Sequence, residues 1–118
     1  MAAKDDLGRR GERLAENHLL ARGYRFLERN WRCRHGEIDL VVRDGDALVF
    51  VEVKTRSSTT FGHPFEAITP VKLARLRRLA REWCAAHPGE RGRIRIDAVG
   101  VLAPRGGDVR IEHLVGVF

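Results

Sequence analysis

Residues 36–56 read GEIDLVVRDGDALVFVEVKTR. Two apolar runs, 38–43 and 47–54, flank the polar Asp44-Gly45-Asp46, which is the signature of a β-hairpin. The first run opens with Glu37 and Asp39, and the second carries Glu52 and Lys54. Charge inside an apolar strand is costly unless something compensates it. Side chains alternate across a strand, so Glu52 and Lys54 share a face with Leu48 and Phe50, while Val49, Val51 and Val53 line the other. Two apolar faces mark a central strand.

The loop length decides where the acids meet. A two-residue loop at Asp44-Gly45 pairs Arg43 with Asp46, Val41 with Leu48, Asp39 with Phe50 and Glu37 with Glu52. Asp39 then lies diagonal to Glu52 on one face, within roughly 5–8 Å. A four-residue loop gives the same pairing, whereas a three-residue loop would throw Asp39 to the opposite face. Under the even register Glu37, Asp39, Glu52 and Lys54 form one cluster. Acids held together repel, and a divalent cation such as Mg²⁺ or Mn²⁺ is the economical compensation. Such a cation can supply a water nucleophile to a phosphodiester and stabilise the charge that develops, with a neighbouring lysine assisting. The plain alternative is that Glu52 and Lys54 sit at a sheet end and pair in solvent.

The rest of the chain frames this hairpin. Its 118 residues suit a single domain, 1–118, with a real core. The opening MAAKDDLGRR has no apolar segment of the secretory kind, and no run approaches the ~20 apolar residues of a membrane helix. A cytoplasmic protein with no membrane partner is expected. Cys33 and Cys84 make no disulfide framework, so free thiols are expected. Lys and Arg number 22 against 16 Asp and Glu, for a net charge of +6, which favours a polyanionic partner, nucleic acid first. The excess is nearly all arginine, so the lysine at position 54 stands out.

Asp5 or Asp6 can cap a first helix running to about residue 22, with Leu7, Gly11, Leu14, Ala15 and His18 on one face. Residues 24–28 alternate as a short strand, and NWRCRHG follows as a basic loop. After a loop-like stretch, Thr69-Pro70 starts a second helix with a stripe of Leu73, Leu76, Leu79, Ala80 and Trp83, ended by His87-Pro88-Gly89. Strands follow at 93–102 and 109–115. The order α-β-β-β-α-β-β describes an α/β domain with a mixed sheet.

GEIDLVV followed by VFVEVKTR resembles the core of the PD-(D/E)XK nuclease superfamily. With GRRGERLAENHLLARGY, NWRCRHGEIDLVV, FVEVKTRSSTTFGHPFEAITPVKLARLRRLA and RIRIDAVGV, nearly the whole chain resembles the YraN-like family of bacterial proteins, itself distantly similar to archaeal Holliday junction resolvases. The resemblance implies a restriction-endonuclease-like fold, a mixed β-sheet flanked by helices. It implies that Asp39 and Glu52 ligate a metal, with the Val53 carbonyl as a further ligand, and that Lys54 is catalytic. It places Glu12, ahead of Gly23-Tyr24, at the same metal site. Ile38 stands where the superfamily motif usually has proline. The resemblance also implies a DNA substrate in preference to RNA, branched or otherwise structured, and a symmetric junction suits a homodimer.

Other residues carry two readings each. Glu12 points at the sheet or is an ordinary first-turn acid. Glu37 braces the site or is strand-end charge, and Asp97 salt-bridges an arginine or braces the site, bracing being the favoured reading. Arg32 and Arg34, with Trp31, form a loop that can grip phosphates and stack on a base, or Trp31 is a core anchor. Arg56 with Lys72, Arg75 and Arg78 lays a basic stripe beside the site, or these are solvated charges. Cys33-Arg34-His35 and Cys84-Ala85-Ala86-His87 have poor spacing for zinc and lie far apart. The leading function is metal-dependent cleavage of DNA. The alternatives are a nucleic-acid-binding module on the same fold that does not cut, and an interaction adaptor.

Overall fold

The computed structural model describes residues 3–60 and 62–117. Its elements run α1 (Ala3–Ala21), β1 (Arg25–Cys33), β2 (Gly36–Asp44), β3 (Ala47–Arg56), α2 (Pro70–Ala86), β4 (Arg93–Leu102) and β5 (Arg110–Leu114), with a 3₁₀ turn at Pro64–Ala67 before α2. The strands form one sheet in the order β1-β2-β3-β4-β5. Pairing is antiparallel throughout except between β3 and β4, which are parallel. A parallel pair needs a crossover, and α2 supplies it. This is the mixed α/β sheet of the order expected.

The two helices cover opposite faces. Ala15 and Leu19 of α1 pack with Leu40, Val42, Val49, Val51, Val53, Val99 and Val101. Leu76, Leu79, Ala80 and Trp83 of α2 pack with Ile38, Val41, Leu48, Phe50 and Ile96. Val49 and Phe50 are both fully buried, so β3 is a central strand with two apolar faces. Thr69 caps α2 by accepting from the Lys72 amide at 3.2 Å, with Pro70 in the first turn.

Three local expectations change. Helix α1 begins at Ala3, so Asp5 and Asp6 lie inside it rather than capping it. Strand β1 runs on to Cys33, so Asn30, Trp31, Arg32 and Cys33 are strand and not loop; Trp31 pairs with Ile38 and packs on the α2-side core. The turn is Gly45-Asp46, with Gly45 at φ 58°, a left-handed conformation that glycine takes without strain. Asp44 therefore pairs with Ala47 and Val41 with Phe50. The loop is even, as expected, but the register is two residues further along, so Asp39 does not pair with Phe50 nor Glu37 with Glu52.

The β2–β3 ladder ends at Leu40 and Val51. Ile38 and Val41 both join the α2-side core, while Leu40 and Val42 join the α1-side core. The alternation of β2 thus changes phase at Asp39. The strand has released its pairing there, and the Asp39 side chain enters the gap.

Candidate functional site

The gap is fixed by the site's own acid. Asp39 Oδ2 accepts the Val53 backbone N–H at 2.9 Å, taking over from the ladder that has just ended. Glu52 stands beside it on β3, and Glu12 projects from α1. Asp39 is pushed up to about 9, first by burial, then by hydrogen bonding to Glu52 and by the Glu52 charge; the Val53 N–H pulls the other way, and Glu12 adds to the rise. Burial and the neighbouring acids thus favour the protonated form of Asp39. A carboxyl that keeps its proton beside two others marks a site with more acid than its own residues neutralise.

Two adjoining hollows of about 390 and 410 Å³ meet at Glu12 and Asp39. The second is lined by Glu52, Val53, Lys54, Arg56 and Ser57 and floored on the helix side by Leu7 and Gly8. The Lys54 side chain makes no hydrogen bond or ion pair among the described residues. The first hollow runs between α1 and β1, lined by Arg9, Arg13, Glu16, Arg29 and Asn30. Glu16 is neutralised there by a bidentate pair with Arg29, both contacts at 3.0 Å. Arg9 and Arg13 are exposed on the same rim.

Close approach of α1 makes this groove. Gly11 is buried, and a Cβ at that position would lie 2.7 Å from both Cβ and Cγ2 of Thr55 on β3. Glu12 follows directly, so the glycine seats its carboxylate over the sheet. Asn30 then fixes that carboxylate: its Nδ2 donates to Glu12 Oε1 at 3.0 Å and to Glu37 Oε1 at 3.1 Å. Asn30 has φ 51°, a left-handed conformation that asparagine tolerates better than most residues.

Asp39, Glu52, Lys54, Val53, Glu12 and Arg56 all line this groove. Glu37 does not; it holds Asn30 and lies 3.4 Å from Arg32. Arg34 is exposed in the β1–β2 turn. Lys72, Arg75 and Arg78 belong to α2, and neither hollow is lined by them; Lys72 Nζ instead donates to the Ala67 carbonyl at 3.0 Å. The basic stripe beside the acids comes from α1.

Asp97 also serves elsewhere. It is fully buried on β4, accepting from Arg95 Nε and Nη2 at 2.9 Å, from His113 Nε2 at 2.7 Å and from the Gly116 amide at 3.0 Å. Burial pushes its carboxyl up, but His113, Arg95 and the Gly116 N–H outweigh this and hold it below the usual range. Arg95 continues the network to Tyr24 Oη at 3.0 Å and Asp44 at 2.8 Å. Asp97 ties β4, β5 and the β2–β3 hairpin together instead of bracing the acid groove.

Sequence reading missed Asn30, Arg9 and Arg13. The first sat in a stretch read as loop. The arginines fall off the apolar stripe of α1, where they look like ordinary surface charge.

The fold and groove define a class: a mixed α/β domain that gathers three carboxylates and a lysine where two central strands part. A family model described as "Uncharacterised protein family UPF0102" matches residues 11–101, and the chain belongs to that family. A UPF0102 protein of Beutenbergia cavernae is 60% identical over 117 residues, covering 99% of each chain. One from Clavibacter michiganensis is 58% identical over 112 residues, covering 95% of each, and one from Streptomyces griseus is 58% identical over 118 residues, covering 99% of each. The matched span holds every residue of the acid groove from Glu12 to Arg56.

Proposed function

We propose that this protein is a metal-dependent nuclease that hydrolyses phosphodiester bonds in DNA. The observation that carries the reading is the gathering of Asp39, Glu52, Glu12 and Lys54 around one groove where the β2–β3 ladder ends, with burial first and Glu52 next pushing the Asp39 carboxyl well above the usual range. A hard cation, Mg²⁺ or Mn²⁺, suits such an all-oxygen donor set and would be held by Asp39 and Glu52, with Glu12 and the Val53 carbonyl nearby. When bound, it supplies Lewis-acid polarisation of the phosphate and a more acidic water.

The chain's own residues do the rest. The Val53 N–H orients Asp39, and Asn30 orients Glu12. Lys54 places a positive charge next to Glu52, where it can hold and polarise the attacking water. Arg9 and Arg13 on one side and Arg56 on the other can receive backbone phosphates, which position the strand without reading its bases. Charge and groove both suit DNA, and the resolvase resemblance favours branched forms. No helix among the described residues is long and apolar enough to cross a membrane.

The test is a cleavage panel of linear, flapped and four-way DNA, and a matching RNA, with Mg²⁺ and with Mn²⁺. Cleavage by the wild type and its loss in folded Lys54→Ala supports the reading. Salt-sensitive DNA binding without cleavage under any condition would replace it with a non-cutting module.

A further inference from the structure

A second site lies at the turn that joins β1 and β2. Among the described residues, Cys33, His35 and Glu82 are the one set of three Cys, His, Asp or Glu donors whose ligand atoms all lie within 4.8 Å of one another. Strand β1 ends at Cys33, which pairs with Gly36, so Arg34 and His35 form a two-residue turn. This turn brings sulfur and imidazole to the same side: the His35 backbone N–H donates to Cys33 Sγ at 3.4 Å. Glu82 arrives from α2, with Oε1 2.7 Å from His35 Nδ1 and Oε2 4.0 Å from Cys33 Sγ.

The two elements carrying these donors are locked together. Trp83, next to Glu82, is almost fully buried, and its Nε1 donates to Glu28 of β1 at 2.9 Å. Leu79, one helical turn earlier, sits so close to Gly36 that a Cβ there would lie 3.3 Å from its Cδ1. The donors are therefore preorganised, and His35 and Glu82 remain about a third exposed, which leaves a path in from solvent.

We propose that Cys33, His35 and Glu82 bind one divalent transition ion of intermediate softness, Zn²⁺ being the natural occupant. A thiolate, an imidazole and a carboxylate together match zinc and reject Mg²⁺, which avoids sulfur. Binding displaces the proton of the Cys33 thiol to solvent and leaves a fourth position for water. The ion would staple the β1–β2 turn to α2, on a different chemistry from the acid groove. Cys84 and His87 take no part: His87 faces the Trp83 carbonyl at 2.7 Å and Glu28 at 3.1 Å.

The test is a Co²⁺ titration of the reduced full-length chain, followed by absorbance. A thiolate-to-cobalt charge-transfer band that saturates at one equivalent is expected. It should vanish in Cys33→Ser, weaken at least about tenfold in affinity in His35→Ala and in the milder Glu82→Gln, and survive in Cys84→Ser and Asp39→Asn. Zn²⁺ should bleach it and Mg²⁺ should not. No charge-transfer band, a band that depends on Cys84, or one indifferent to Glu82→Gln would leave only a His–Glu ion pair and overturn the proposal.

Discussion

Asp39 Oδ2 takes the Val53 backbone N–H at 2.9 Å, one residue beyond the last β2–β3 pair at Leu40 and Val51. That bond turns the parting of two strands into a defined groove. It also holds the Asp39 carboxyl beside Glu52. The pH behaviour of the metal-free protein follows from it.

Asp39 is raised from its ordinary 3.8 to about 9, by burial first and Glu52 next. For a raised carboxyl the folded state binds its proton more tightly. Its contribution to stability is complete below the unfolded value and is lost as pH rises through the folded one. Thermal unfolding in chelator should therefore show this contribution falling between about pH 4 and about pH 9. Asp39→Asn, which can still accept from Val53 and donate to Glu52, should flatten that slope and melt higher than wild type at the alkaline end. Parallel curves for the two proteins would remove Asp39 as the cause.

Asp97 works in the opposite direction and in a different window. His113, Arg95 and the Gly116 amide hold its carboxyl low against the push of burial. The stability it confers is present above the unfolded carboxylate range and is lost as pH falls through its folded value. Asp97→Asn should destabilise the protein at neutral pH by about 3–5 kcal/mol, because it strands a buried part of the Arg95 network. Where the variant remains folded, Mg²⁺ affinity should be unchanged. A large fall in affinity with little loss of stability would return Asp97 to the metal site.

Gly11→Ala should act at a distance from any charge. The added methyl meets Thr55 at its stiff branched Cβ and pushes α1 off β3. A loss of about 1–3 kcal/mol in denaturant unfolding is expected, together with weaker cleavage, since Glu12 moves with the helix. Unchanged stability would show that the helix is seated more loosely than the structure has it.

Asn30 separates orientation from fold. Asn30→Ala removes both hydrogen bonds to Glu12 and Glu37 and leaves alanine at φ 51°. Asn30→Gly removes the same bonds without the backbone strain. Both variants should lose metal affinity to a similar degree, while only alanine should pay the additional backbone penalty of about 1–2 kcal/mol in unfolding. Undiminished affinity in the glycine variant would mean that Glu12 needs no positioning.

Much of this architecture is legible in the sequence because its signals are local. The Asp44-Gly45-Asp46 turn, the Thr69-Pro70 cap and the stripe from Leu76 to Trp83 each reflect an interaction within a few residues. Strand β4 is legible at both ends for the same reason. The β2–β3 register slipped by two because an even loop fixes the face and not the pairing. NWRC read as loop because its charges hide an edge strand whose inward side is only Trp31 and Cys33. What escapes it is tertiary: Asn30 matters through α1, Asp97 through β5, and the cations of α2 do not line the acid groove. Glu82 is the clearest case, since nothing in its own neighbourhood connects it to Cys33 and His35.

A cation site in the groove is tested most directly by calorimetric titration of Mg²⁺ into the full-length chain near neutral pH. It predicts one Mg²⁺ per chain, with an observed heat that changes with the buffer because Asp39 gives up its proton on binding, and with binding abolished in folded Asp39→Asn but intact in Cys33→Ser. Absence of Mg²⁺ binding in the wild type, or equal binding in Asp39→Asn, would contradict it.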